Sequence, residues 1–152
     1  MNGISAIAGK DVLILDGQIL TGYADGDAIK CEPQGPISQY KVSKDGNTIV
    51  ALQYTGILVK LSVRLVRACF DDQVLNGKLQ QWIADPASFA LMAGSYVKRV
   101  GDGKGATTNE VYQLAGGVFE TIPAGHSNMD GSTEQAVTVY TLFFRNDARL
   151  MQ

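Results

Sequence analysis

The stretch that decides the fold is ILVKLSVRLVR, residues 57–67. Its odd-numbered positions are apolar up to residue 65, whereas its even-numbered positions include Lys60, Ser62 and Arg64. An apolar residue at every second position is the period of a β-strand that has one buried face and one wetter face. This is the longest clean alternation in the chain, and it predicts a strand.

The residues that follow this strand change period. In DDQVLNGKLQQWIAD, residues 71–85, apolar side chains fall on one helical stripe, and Pro86 ends the pattern. We predict a helix here, capped at its amino end by Asp71 or Asp72, whose charge complements the helix dipole. Gly77 costs roughly 1 kcal/mol relative to alanine, so the helix needs the sheet to hold it. The stripe consists of Val74, Leu75, Leu79, Trp82 and Ile83.

The residues before the strand predict hairpins. QYKVSKDGNTIVALQY, residues 39–54, has a strong turn signal at residues 44–47 between two arms rich in Val, Ile, Thr and Tyr. We predict a long β-hairpin there. A second, shorter hairpin is predicted in residues 11–21 around Asp16 and Gly17, because an Asp-Gly pair suits a tight turn.

The rest of the chain is also rich in strand patterns. Gly116 and Gly117 weaken one of these strands and predict a bulge or close packing. Strands are predicted at residues 28–32, 89–100, 111–121 and 134–144, with a glycine-rich turn at 101–109 and a polar loop at 123–132. One helix is too few for the crossovers of a parallel sheet. We therefore predict a mainly β (α+β) fold: an antiparallel β-sandwich or barrel with one helix packed on its flank.

Length and composition predict one domain, residues 1–152. The chain is 45% hydrophobic and 18% charged, with a net charge of −2, which is ordinary for a globular protein. No run approaches the roughly 18 apolar residues of a membrane helix, and the start of the chain is a poor secretory signal. Two cysteines are too few for a disulfide framework, which favours folding in a reducing cytosol.

Charge is distributed unevenly along the chain. Residues 1–56 and 101–152 are net acidic, whereas residues 57–100 carry six Lys or Arg against three Asp. No basic stripe could neutralise a run of phosphates, so tight binding to duplex DNA is not expected. Acidic ends and a basic middle are compatible with docking between copies.

Residues able to do chemistry are sparse. His126 is the only histidine, and it stands beside Ser127 and near Asp130, where neighbouring side chains diverge instead of forming a triad. Cys31 and Cys69 are isolated in the sequence and cannot form a zinc site with one histidine. A loop histidine and two small, partly buried thiols are the favoured interpretations.

Two further motifs are rejected. In GDGKGATT, Lys104 is followed by Gly105 and leads into a strand, whereas a P-loop needs Ser or Thr after the lysine and then a helix. Asp25, Asp27 and Asp130 lack the spacing of an EF-hand and are better explained as turn residues. We therefore predict that this chain is not an enzyme and that it has no catalytic, cofactor-binding or metal-binding residues.

The order of elements resembles the tail tube proteins of contractile-tailed bacteriophages. The resemblance lies in the hairpin 39–54, the alternating strand 57–67 and a helix whose first turn reads Asp-x-x-Leu at Asp72 to Leu75. The carboxyl-terminal stretch GGVFETIPAGHSNMDGSTEQAVTVYTLFF is similar to the last two strands of that family, joined by a polar loop. The resemblance covers roughly residues 10–145.

The resemblance implies a structural role. Members form hexameric rings in which strands from six subunits join into one barrel around a lumen, and the rings stack into the tube through which DNA leaves the capsid. Related tubes serve type VI secretion and phage-derived bacteriocins. The implied partners are other copies of the chain and the sheath, baseplate and terminator proteins, with DNA passing through without tight binding. The implied location is the virion tail, after assembly in the host cytoplasm.

Within this interpretation, the hairpin at 39–54 and the turn at 101–109 are expected to make contacts between rings. Strands 57–67 and 134–144 are expected to carry the barrel. Lys60 and Arg64 share a strand face, and a lumen lined by that face would attract phosphate unless acids on neighbouring strands offset the charge. The alternative is a monomeric small β-barrel that binds a small molecule in its mouth. A hydrolase with a dispersed site is a weaker third hypothesis.

Overall fold

The computed structural model describes residues 6–7, 11–24, 26, 28–125 and 136–152. A short 3₁₀ turn, Tyr54–Ile57, leads into the alternating strand. The elements in chain order are β1 (Ala6–Ile7), β2 (Val12–Leu15), β3 (Gln18–Ile19), β4 (Ile29–Pro33), β5 (Ser38–Val42), β6 (Thr48–Leu52), β7 (Leu58–Val66), α1 (Phe70–Ala84), β8 (Met92–Gly101), β9 (Thr107–Phe119) and β10 (Val137–Met151).

The strands form one large antiparallel sheet and one separate hairpin. The large sheet runs in the order β3-β2-β8-β9-β10-β7-β4, and β1 pairs with β8 next to β2. Among the described strands, β5 and β6 pair only with each other. The predicted class, antiparallel β with one helix, is confirmed.

A segment without regular strand structure, residues 20–24, closes the large sheet on itself. The Leu20 amide donates to the Leu13 carbonyl of β2, and the Ala24 amide donates to the Arg64 carbonyl of β7, both at 3.0 Å. Because β2 and β7 lie at opposite sides of the sheet, this segment joins them and completes a barrel.

A buried carboxylate holds the closing segment in place. Asp71, in the first turn of α1, is 3% exposed. Its Oδ2 accepts the Thr21 and Gly22 amides at 2.7 and 2.8 Å, and its Oδ1 accepts the Gln18 side chain at 3.1 Å. The first turn of the helix thereby fixes the seam of the barrel.

The predicted helix cap is wrong. The N-cap residue is Cys69, whose Sγ accepts the Asp72 amide at 3.4 Å. Neither Asp71 nor Asp72 caps the helix, because both carboxylates bind groups outside it: Asp72 accepts the Ala68 amide at 2.7 Å and the Tyr140 hydroxyl at 2.6 Å. Both acids still lie in the first turn, where their charge complements the helix dipole.

The core fills the barrel. Burial alternates along β7 as predicted, with the odd-numbered residues buried, so the predicted faces of this strand are confirmed. Only Leu75 and Leu79 of the predicted helix stripe are buried. Trp82 instead packs edge-on against Phe89 at 5.4 Å, and Ile83 is 50% exposed. The largest side chains that are fully buried are Tyr140, Phe144, Leu13, Leu15, Leu61, Leu65, Leu75, Met92, Leu142 and Val63.

Glycines produce the predicted irregularity in β9. The pairing with β8 and with β10 shifts register across residues 115–117, and Gly116 has φ +66°. A Cβ on Gly117 would lie 2.2 Å from the Phe144 ring, so the bulge and the close packing are both present. Strand β10 runs seven residues beyond its predicted end, because its last residues continue to pair with β9.

Candidate assembly surface

The predicted hairpin is present and stands apart from the barrel. Every residue of β5 and β6 is exposed. The turn is ordered by its own polar groups: the Ser43 amide donates to the Asn47 carbonyl at 2.8 Å, and Gly46 has φ +87°. Asp45 accepts the Ser43 hydroxyl and the Asn47 side chain, and the bond from Ser43 is the main reason that the pKa of this carboxyl is lowered.

One face of the hairpin is apolar and uncovered. Tyr40 lies opposite Val50, and Leu52 lies opposite Ser38, so four large apolar side chains share one face, whereas Ile49 lies opposite Lys41 on the other. Their exposed fractions are 67% for Tyr40, 57% for Val42, 63% for Val50 and 59% for Leu52. An isolated two-stranded hairpin is marginally stable in water at best. This apolar face is the strongest candidate docking surface among the described residues.

The two ends of the hairpin are held together at its base. The Gln53 amide donates to the Ile37 carbonyl at 2.7 Å. A Cβ on Gly56 would lie 2.8 Å from the Ile37 backbone, so glycine permits the two ends of the hairpin to approach closely. The hairpin is therefore closed at its base, where the chain leaves the barrel between β4 and β7.

The glycine-rich turn lies at the same end of the barrel as the hairpin. It is shorter than predicted, residues 102–106, because β8 and β9 pair as far as Gly101 and Thr107. Asp102 Oδ1 accepts the Lys104 amide at 2.7 Å and the Ala106 amide at 3.2 Å. The hairpin leaves from the start of β7, and antiparallel pairing through β10 and β9 brings this start to the same end as the tip of β8 and β9.

The opposite end of the barrel carries its own exposed apolar residues. Helix α1 begins there, and its first residue, Phe70, is 71% exposed. Ile122, just beyond β9, is 70% exposed. A groove of about 310 Å³ lies between α1 and residues 122–125, with Thr138 and Tyr140 also in its lining.

Acids accompany the basic residues on the outer face of β7. Lys60 Nζ lies 3.2 Å from Glu120 Oε2. On the neighbouring strand β4, Lys30 pairs with Glu32 at 3.8 Å, and Glu32 stands opposite Lys60 in the register. Part of the positive charge on this face is therefore offset from adjacent strands.

A polar network crosses β8, β9 and β10 toward the hairpin end. Glu110 Oε1 accepts the Tyr112 hydroxyl at 2.7 Å and Arg149 Nε at 2.8 Å. The bond from Tyr112, followed by those from Arg149, lowers the pKa of Glu110, although partial burial opposes the shift. Tyr112 stacks on Tyr96 at 5.8 Å.

The same network extends to the start of β2. The Tyr96 hydroxyl donates to Asp11 Oδ2 at 2.9 Å, and Lys98 lies 3.2 Å from the same oxygen. Burial, followed by the bond to Asp11, raises the pKa of Tyr96. These hydrogen bonds and ion pairs connect the start of β2 with β8, and β9 with β10.

Of the chemically reactive residues considered in the sequence, the structure describes the two cysteines, which are not joined by a disulfide. Cys31 lies half-buried on β4, where burial raises the pKa of its thiol to about 11, and Cys69 is occupied as the helix cap. Asp25 and Asp27 lie outside the described residues, as do His126, Ser127 and Asp130. Within the described ranges, no group of three His, Cys, Asp or Glu side chains could hold a metal ion.

The structure describes no helix that is both long and apolar enough to cross a membrane. Its surface depressions lie outside the filled core: one, of about 540 Å³, lies at the base of the hairpin against Tyr54 and Leu58.

Comparison with solved structures identifies the fold. A chain of the sheath–tube complex of an extracellular contractile injection system, PVC, in its extended state, superposes with a TM-score of 0.59 at 7% identity; the match covers 97% of this chain and 91% of the other. A chain of the sheath/tube terminator of the same system gives a TM-score of 0.54 at 9% identity, covering 95% and 94%. No protein-family model and no curated protein matches the sequence. The fold expected from the tail-tube resemblance is confirmed.

Proposed function

We propose that this chain is the structural subunit of a contractile-tail tube, in which copies form rings and the rings stack around a lumen. The uncovered apolar hairpin is the observation that carries the proposal. Exposed apolar faces of this kind mark protein–protein contacts. The shared fold with components of a contractile injection system supports the same role.

The placement of the projecting elements supports stacking in one direction. The hairpin and the turn at residues 102–106 project from one end of the barrel, whereas α1 and residues 122–125 lie at the other. A contact between unlike ends is heterologous, and repetition of such a contact produces an open stack instead of a closed pair. A tube of stacked rings is an open stack of this kind.

The remaining parts of the proposal follow from the tube. The chain acts as one domain, residues 1–152, in hexameric rings, and has no catalytic, cofactor-binding or metal-binding site. Its partners are other copies, the sheath, the baseplate and the terminator, and it is located in a virion tail assembled in the host cytoplasm. DNA passes through the lumen without tight binding, which is compatible with a net charge of −2.

Electron microscopy of the purified protein across a concentration series tests the proposal. Rings or tubes with a central hole are expected. A variant that lacks residues 44–47 should remain folded, because the turn contacts only itself, but should stack poorly. If this variant still formed long tubes, the hairpin would not be the element that makes the stacking contact. A compact monomer at every concentration would contradict the proposed function and would favour a monomeric binding module.

A further inference from the structure

Helix α1 contains a side chain that can react with its own backbone. Asn76 is followed by Gly77 in the middle of the helix, and both residues are exposed to water. We propose that Asn76 is a deamidation site, that the helical fold of α1 holds it unreactive, and that local opening of α1 sets the rate of the reaction. Modified copies then accumulate as the folded protein ages.

The reaction needs no partner other than water. The backbone nitrogen of Gly77 attacks the side-chain carbonyl carbon of Asn76 and forms a C–N bond, and the side-chain nitrogen leaves as ammonia with the proton that the backbone nitrogen gives up. Water then opens the resulting five-membered succinimide at one of its two carbonyls. The products are aspartate and isoaspartate, and in isoaspartate the main chain runs through the side chain. Glycine hinders the attack least, because it has no Cβ.

The helical backbone prevents this attack. Within α1 (Phe70–Ala84), the Gly77 amide lies in the regular pattern in which each N–H donates to the carbonyl four residues earlier. The helical ψ angle of about −42° also directs this nitrogen away from the side chain of Asn76. Both constraints are released only when this part of α1 unwinds. The rate of deamidation is therefore the rate in an unfolded chain multiplied by the fraction of time that the helix is open.

The part of α1 that holds the reactive pair is held by few tertiary contacts. Of its apolar side chains, Leu75 and Leu79 are the buried ones among the described residues. Gly77 itself weakens the helix interior, and a Cβ at this position would meet no atom within 4 Å. The ion pair of Lys78 with Asp16 is partly exposed and contributes little to stability. Local opening of this turn therefore costs less free energy than opening of the barrel strands.

Conversion to isoaspartate damages the helix that fixes the seam of the barrel. It adds one carbon atom to the main chain, which interrupts the helical repeat and displaces Leu79 relative to Leu75 in the core. Asp71, which holds the closing segment, lies on the same helix. The aspartate product places a charge four residues from Asp72, and like charges at this spacing weaken a helix. Arg67 lines the same groove and offsets part of this charge, so isoaspartate is the more damaging product.

Peptide mapping of the full-length protein stored at pH 8 and 37 °C measures the reaction. Trypsin cleavage after Arg67 and Lys78 isolates Asn76 in a peptide that contains no other asparagine, and mass spectrometry quantifies both products. We expect Asn76 to react at least fiftyfold more slowly in the folded protein than in the same chain in concentrated urea. Equal rates would show that α1 does not protect this residue. If Asn76 did not react in urea either, it would not be a deamidation site.

A matched pair of substitutions tests whether local opening sets the rate. Leu79→Ala removes a buried contact of α1 and should accelerate the reaction at least fivefold, whereas Val59→Ala removes a buried contact at the far end of β7 and should not change it. Equal acceleration by both would contradict local opening, because it would place the reaction in globally unfolded protein. Wild-type protein in urea below its unfolding transition provides the same test without a substitution. The rate should rise there, and a constant rate would also contradict the proposal.

Storage of wild type beside Gly77→Ala isolates the damage caused at this site. Alanine at position 77 hinders the attack and strengthens the helix, and it leaves every asparagine of the chain in place. After equal storage, the unfolding temperature of wild type should fall in proportion to the isoaspartate formed at residue 76, whereas the variant should keep the unfolding temperature of fresh protein. If modified wild type unfolds like fresh protein, or if both proteins decline equally, damage through Asn76 is excluded.

Discussion

At the scale of single residues, Asp71 is the most consequential polar group in the described structure. A nearly fully buried carboxylate that accepts two backbone amides and one side-chain amide joins α1 to the seam of the barrel. Three donors therefore depend on one side chain. Sequence alone identifies Asp71 only as an acid at the start of a helix, because its partners lie about fifty residues away in the chain.

Replacement of Asp71 with alanine should destabilise the protein strongly. Buried donors left without an acceptor cost about 1–3 kcal/mol each when water cannot reach them, so we expect a loss of roughly 2–4 kcal/mol in the free energy of unfolding. Urea unfolding followed by Trp82 fluorescence measures this loss. Glu32→Ala is the control, since Glu32 is more than half exposed and its ion pair with Lys30 is long. Equal effects of the two changes would show that Asp71 does not hold the seam.

Two glycines provide a matched pair with opposite expected signs. Gly117→Ala places a Cβ 2.2 Å from the ring of Phe144, which is fully buried and cannot move away, so we expect a loss of about 1–3 kcal/mol. Gly77→Ala meets no atom within 4 Å in the middle of α1, so we expect a gain of roughly 0.5–1 kcal/mol. Thermal unfolding of both variants tests the packing assigned to the bulge. A stable Gly117→Ala protein would show that β9 and β10 are not packed this closely.

At the scale of elements, the network around Glu110 links β9 to β10 and predicts a pH dependence. The pKa of Glu110 is lowered in the folded protein, so its contribution to stability is complete above the ordinary pKa of 4.5 and is lost as the pH falls through the folded value. The difference in unfolding free energy between wild type and Glu110→Gln should therefore be larger at pH 7 than at pH 3. Urea titrations at both pH values measure it. A difference that is independent of pH would exclude a charged role for this carboxyl.

The sequence predicted elements well where the signal was local. The alternation of residues 57–67 gave both the strand and its buried face, and the turn at residues 44–47 gave the hairpin. Sequence-based prediction failed for segments whose hydrogen-bonding partner is distant in the sequence. Residues 20–24 form the seam only because β2 and β7 approach each other in space. The end of β10 follows from its pairing with β9, since its last residues have no clean alternation.

The helix cap shows a different limit of sequence-based prediction. Asp and Asn are better caps than Cys, so the sequence favoured Asp71 or Asp72. Asp71 accepts amides of the seam and Asp72 accepts the Tyr140 hydroxyl, both distant in the sequence, and the thiol of Cys69 accepts the Asp72 amide. The candidate assembly surface was predictable as a hairpin, but its uncovered apolar face was not, because exposure depends on what the rest of the chain leaves unpaired.

At the scale of the whole molecule, the barrel and the hairpin should differ in local stability. The strands of the barrel surround a filled core, whereas β5 and β6 pair only with each other and are exposed on both faces. Local opening costs little free energy where few apolar groups are buried. The isolated subunit is therefore expected to have a rigid body and a weakly protected projection.

Hydrogen–deuterium exchange measures this difference before and after assembly. In the isolated subunit, amides of residues 38–52 should exchange at least a hundredfold faster than those of Leu61, Val63 and Leu65 in β7. In assembled tubes, the hairpin amides should slow by at least tenfold, because docking covers the apolar face and suppresses opening, whereas those of β7 should change little. If tubes form and residues 38–52 still exchange as in the subunit, the hairpin remains uncovered in the assembly and the stacking contact lies elsewhere.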